Sequence, residues 1–74
     1  MKKEMVELLD EMVIFQEKKL MKIGSQIIPH LTTDDMLQPN DFPELENHPE
    51  FRFEEGVLKG IHTARSALLA RDLS

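Results

Sequence analysis

Residues 54–70 read EEGVLKGIHTARSALLA. The composition is helical, yet Gly56 and Gly60 stand one turn apart inside the stretch. Each costs about 1 kcal/mol against alanine in a helix interior. On a helical projection Phe51, Val57, Leu58, Ile61, Leu68 and Leu69 share one side. Gly56, Gly60, Ala64 and Ala67 form a strip of small residues beside them. Small side chains let two backbones approach and gain dispersion contacts, as small-xxx-small pairs do between membrane helices. The spacing therefore predicts a close-packing strip whose gain offsets about 2 kcal/mol of lost propensity.

Upstream, Pro49 suits the first turn of a helix. Asn47 with Glu50 three residues on resembles a capping box. His48 competes for the cap, because a residue before proline resists helical dihedrals. A helix over about 49–72 follows.

The first segment, Lys2 to Ile28, lacks proline and is rich in Glu, Lys, Leu and Met, which favours helix. Its apolar positions, among them Leu8, Leu9, Met12, Val13, Phe15, Leu20 and Ile23, cover roughly half the circumference, wider than a two-stranded coiled-coil seam. Gly24-Ser25 is a point where this helix bends or frays, and Pro29 sets its end near Ile28. Residues 29–48 form a proline-containing connection that is long for a compact domain. It carries Leu31, Met36, Leu37, Phe42 and Leu45, five apolar anchors that a disordered linker does not need. An ordered strap across the helices is expected, with Thr33 capping a short turn over residues 34–37 and a second turn at 44–46.

The chain has 74 residues, a net charge of −5 and no cysteine. A chain of this size forms one domain and buries only about 60% of its unfolded surface. It depends on good helix packing or on association, because disulfides and thiolate metal sites are excluded. The acidic balance argues against nucleic acid, whose affinity comes largely from phosphate neutralisation. Lys2, Lys3, Lys18, Lys19 and Lys22 lie among Glu4, Glu7, Glu11 and Glu17, a solvated, salt-bridged face. No apolar run approaches the roughly 20 residues of a membrane span. Met1-Lys2-Lys3 resembles a signal-peptide start for three residues only, so a cytoplasmic protein is expected.

Candidate chemistry is sparse. His30, Asp34, Asp35, Asp41, Glu44, Glu46 and His48 gather in the strap, and carboxylate with imidazole can bind divalent metals. The spacing fits neither an EF-hand loop nor an HExxH helix, and turn capping explains it more simply. Ser25 and Ser66 lack a nucleophile-elbow context, and His62 reads as a surface or half-buried histidine. Arg65 falls among apolar positions and is expected to pair with a carboxylate of the first helix or the strap. Met5, Met12, Met21 and Met36 suit core filling or an adaptable binding surface.

The run Asp35–Ile61, DMLQPNDFPELENHPEFRFEEGVLKGI, resembles a segment of small bacterial proteins of uncharacterised function, through LQPNDFPEL, HPEF and EEGVLKGI. The resemblance covers roughly the C-terminal half. It implies a defined strap and assigns no activity, partner or residue role.

The expected fold is all-α. Two long helices make an antiparallel hairpin with an ordered strap, and two hairpins pair into a four-helix bundle. The first helix has more apolar surface than one neighbour covers, and exposed apolar patches mark interaction sites. The expected role is a non-enzymatic, homo-oligomeric interaction module, with a dimer favoured and without metal or cofactor. Leu9, Met12, Val13, Leu20, Gly56, Gly60, Ala64 and Ala67 are the interface candidates. The alternatives are a small chaperone or adaptor holding a partner's amphipathic helix, and a metal- or small-ligand-binding protein using the strap carboxylates and histidines.

Overall fold

The structure, a computed structural model, describes residues 2–38 and 41–71. The helix end expected at Asp72 lies outside the described residues. Four helices follow in order: α1 (Lys2–Ile27), α2 (Thr33–Leu37), α3 (Pro43–Glu46) and α4 (Pro49–Arg71). No strand occurs among the described residues. The two long helices pack against each other as a helical hairpin, and the strap carrying α2 and α3 folds over one end. Partners on α4 fall in number as those on α1 rise: Lys2 bonds to Leu69, Asp10 to Arg65 and Gln16 to Glu54. No helix among the described residues is long and apolar enough to cross a membrane.

Helix α1 runs unbroken through Gly24-Ser25, and its last turn holds the Ile28 N–H on the Gly24 carbonyl at 2.8 Å. It ends before Ile28, as a residue preceding proline requires. The chain then turns through His30, at φ 68°, a left-handed conformation that histidine adopts at a cost.

The cap of α2 is Thr32, one residue before the Thr33 expected from sequence. Its Oγ1 accepts from the Asp35 N–H at 3.1 Å, and the Asp35 carboxylate accepts from the Thr32 N–H at 3.2 Å. Only this register gives a reciprocal box: a Thr33 cap would place Met36 third, and a thioether cannot return the bond. At α4 the competing reading holds. His48 Nδ1 accepts from the Phe51 N–H at 3.3 Å, while Asn47 closes α3 through its own N–H to the Pro43 carbonyl.

The core sits at the strap end. Leu20, Ile23, Leu31, Met36, Leu45, Phe51 and Leu58 are buried, with Leu45 and Phe51 fully so at 0% exposure. Of the strap anchors, Leu31, Met36 and Leu45 enter the core and Phe42 packs against it, so the described parts of the strap are packed elements; the side chain of the fifth anchor, Leu37, lies outside the description.

Close packing within the chain occurs at a glycine other than the two in residues 54–70. A Cβ on Gly24 would lie 2.6 Å from a Leu31 methyl, 3.4 Å from the Phe51 ring and 3.9 Å from a Leu45 methyl. Strap and α4 converge on this point of α1. At Gly56 and Gly60 a Cβ would meet nothing within 4 Å. The reason is rotational: α4 turns Phe51, Glu54 and Leu58 toward α1, and the glycine strip lies round the helix from them, exposed.

Two stability outcomes are expected. Gly24→Leu lowers unfolding free energy by about 2 kcal/mol or more despite leucine's better helix propensity, because it overpacks a filled site. At about 4–8 °C per kcal/mol for a domain this small, thermal unfolding reads that loss directly. His48→Ala costs about 1 kcal/mol through loss of the α4 cap, and His48→Ser or His48→Asp recovers most of it.

Candidate interaction surface

One polar cluster lies between the long helices. Gln16 and Glu54 are both buried, each on the apolar side of its helix. The Gln16 Nε2 donates to the Glu54 carbonyl at 2.9 Å and to its Oε1 at 2.8 Å. The other carboxylate oxygen pairs with Lys19 Nζ at 3.1 Å. The hydrogen bond from Gln16, then that from Lys19, holds the Glu54 carboxyl below its ordinary value of 4.5, with burial opposing. No buried side-chain polar atom among the described residues lacks a partner. Such a pair fixes how far one helix can slide on the other, because a shift strands a buried carboxylate. Both residues were detectable in the sequence as polar positions inside apolar arcs.

Beyond this cluster, toward the termini, the hairpin is open on one face. A groove of about 400 Å³ lies there, lined by Leu8, Met12 and Phe15 of α1 and by Val57 and Ile61 of α4. Leu8 and Met12 are exposed, and Phe15 is 70% exposed. The lining is almost entirely apolar, with Glu11 and Gln16 at its rim. Elsewhere on α4, Gly56, Gly60, Ala64 and Ala67 are exposed, round the helix from the residues that face α1, and Phe53 is 69% exposed. The open face is thus an apolar groove formed by two helices.

The interface candidates divide accordingly. Met12 lines the groove, and Gly56, Gly60, Ala64 and Ala67 are exposed on α4 outside its lining. Leu9 is half-buried, Val13 packs against the core, and Leu20, 1% exposed, belongs to the core of the single chain. The methionines divide too: Met36 is buried in the core and Met21 packs against it, whereas Met5 and Met12 are exposed. Leu8, Phe15 and Phe53 complete the face, and α1's wide apolar arc was the signal for the first two.

The strap polar residues have local roles or face solvent. Asp35 closes the α2 box and His48 caps α4, while His30, Asp34, Asp41, Glu44 and Glu46 are exposed. Among the described residues no three His, Asp or Glu side chains form a group that could hold a metal ion. Ser25, His62 and Ser66 are exposed. The Arg65 Nε donates to Asp10 Oδ1 at 2.6 Å, a half-exposed pair between α4 and α1 contributing up to about 1 kcal/mol. No protein-family model, curated protein or solved structure matches this chain.

Glu54 gives the stability a defined acid limb. The unfolded chain takes up this proton near the ordinary 4.5, while the folded chain keeps the carboxylate charged to lower pH. Its contribution is complete above that value and is lost as pH falls through the lower folded one. Between those values Glu54→Gln should bind up to about one proton fewer on unfolding. Urea midpoints measured from pH 6 to pH 3 should therefore fall less steeply for the variant than for the parent chain.

Proposed function

We propose that this protein is a non-enzymatic interaction module that works as a homodimer, two antiparallel hairpins closing into a four-helix bundle. The observation that carries the reading is the open face. Leu8, Met12, Phe15 and Phe53 stay exposed although the same chain builds a filled core a few turns away. Exposed apolar side chains around an apolar groove mark an interaction site. A second hairpin is the simplest cover, since bundle packing buries two helix faces at once. A strap-covered monomer has no support at this end, because the strap's buried anchors lie in the core at the other. Two of the seven strap residues that a metal site would draw on, Asp35 and His48, are engaged as helix caps.

The chain mass is 8.6 kDa. Light scattering after size-exclusion chromatography, over a range of loading concentrations, should give twice that value and a return toward it on dilution. A folded monomer at every concentration overturns the homodimer and turns attention to a partner's amphipathic helix in the same groove. Gly60 sharpens the test. It has open space within the chain, so Gly60→Leu gains up to about 1 kcal/mol of helix propensity in the monomer. In a bundle that buries the strip, the same substitution lowers dimer affinity while the monomer stays folded.

A further inference from the structure

We infer that Met12 makes the groove answer to oxidation: a peroxide converts its thioether to a sulfoxide, and the groove then releases its occupant while the fold stays intact. The inference rests on the homodimer reading and adds its regulation.

The chain offers an oxidant few targets. It has no cysteine, tryptophan or tyrosine, so its five methionines are the side chains that peroxide attacks most readily. Exposure sets the order of attack. Met12 is 42% and Met5 48% exposed, whereas Met36 is 2% exposed in the core and Met21 packs against it. The sulfur of Met12 attacks one peroxide oxygen. An S–O bond forms, the O–O bond breaks, and the second oxygen leaves with both protons as water. Sulfur gives up two electrons and the peroxide takes them.

The groove has nothing to offer the product. A sulfoxide oxygen is an acceptor, and a covered acceptor needs a donor. The lining is apolar apart from Glu11 and Gln16. A carboxylate such as that of Glu11 only accepts. The Gln16 amide already gives two hydrogen bonds to Glu54, at 2.9 Å to the carbonyl and 2.8 Å to the carboxylate. The backbone N–H groups of the lining lie inside α1 and α4, bonded along their own helices. Water satisfies the new oxygen while the groove is open, and an apolar cover strips that water away. Met5 stands outside the lining, so its oxidation leaves the groove apolar. Met21 and Met36 are shielded by the core, so the strap end keeps its packing.

Hydrogen peroxide with peptide mass mapping tests the order of attack. Met5 and Met12 should gain oxygen well before Met21 and Met36, with the helical circular dichroism unchanged. Met36 reacting as fast as Met12 overturns the inference. Light scattering then reads the consequence. Oxidation should lower dimer affinity roughly tenfold or more, the penalty of covering one unsatisfied acceptor. Met12→Leu, whatever its own affinity, should keep it through the treatment, whereas Met5→Leu should lose affinity as the parent chain does. Methionine sulfoxide reductases acting on both epimers should restore the oxidised parent. An oxidised Met12 with undiminished affinity overturns the inference and leaves the homodimer standing. An untreated chain that is monomeric at every concentration overturns the homodimer instead. The inference is then decided by the apolar dye anilinonaphthalene sulfonate, whose fluorescence on the parent chain should fall on oxidation and on Met12→Leu should hold. Equal dye binding by the parent before and after oxidation overturns it.

Discussion

The convergence on Gly24 is the constraint on which the rest of the hairpin depends. Leu31 and Leu45 of the strap and Phe51 of α4 all reach the one position of α1 that has no side chain. Dispersion falls steeply with separation, so seating the strap this close lets three segments distant in sequence share one filled core. The caps at Thr32 and His48 make this possible. They satisfy helix ends at the edges of the strap, and they point α2 and α4 in directions that return the apolar anchors to α1. The left-handed turn at His30 belongs to the same device, since it redirects the chain immediately after α1.

Full burial is concentrated at the strap end; toward the termini the hairpin has half-buried apolar side chains such as Leu9, Ile61 and Leu68, with the Lys2 and Arg65 bonds beside them. Gln16, Glu54 and Lys19 mark the boundary between the two regimes. On one side lies a core with Phe51 and Leu45 fully buried, and on the other an apolar surface exposed to water. The Gln16–Glu54–Lys19 cluster offsets the desolvation of the Glu54 carboxylate with its own hydrogen bonds. It fixes the register in which Met12 stands beside Val57 and Ile61, and so determines the shape of the open face.

Much of this was legible in the sequence. Helical composition and Pro29 defined α1 within a residue, and the five strap anchors announced an ordered connection because a solvated linker has no use for them. Arg65, set among apolar positions, required a carboxylate partner and has one in Asp10. Other features were legible but misread. The Thr32–Asp35 spacing is a full capping box, whereas Thr33 has no acid at the right distance. The glycines divided by context: Gly24 looked like a bend and is the tightest packing position, while Gly56 and Gly60 looked tightly packed and face open space within the chain. Glycine spacing reports which backbones can approach, and only the tertiary structure says which do. Gln16 and Glu54 each stand inside an apolar arc of the sequence, a signal that a polar residue is buried there, but only the tertiary structure shows that each is the other's partner.

The uneven distribution of packing also has a consequence for cooperativity. A hairpin whose well-packed contacts lie at one end resembles a clasp with two long tongs, and its backbone hydrogen bonds are not equally protected. Opening that starts at Lys2 and Arg71 exposes little surface that is not already wet, whereas opening at Gly24 dissolves the core and the whole molecule with it. Local and global unfolding are therefore separate events with separate free energies. A partner seated on the tongs would join them into one, turning two loosely coupled regions into a single folding unit.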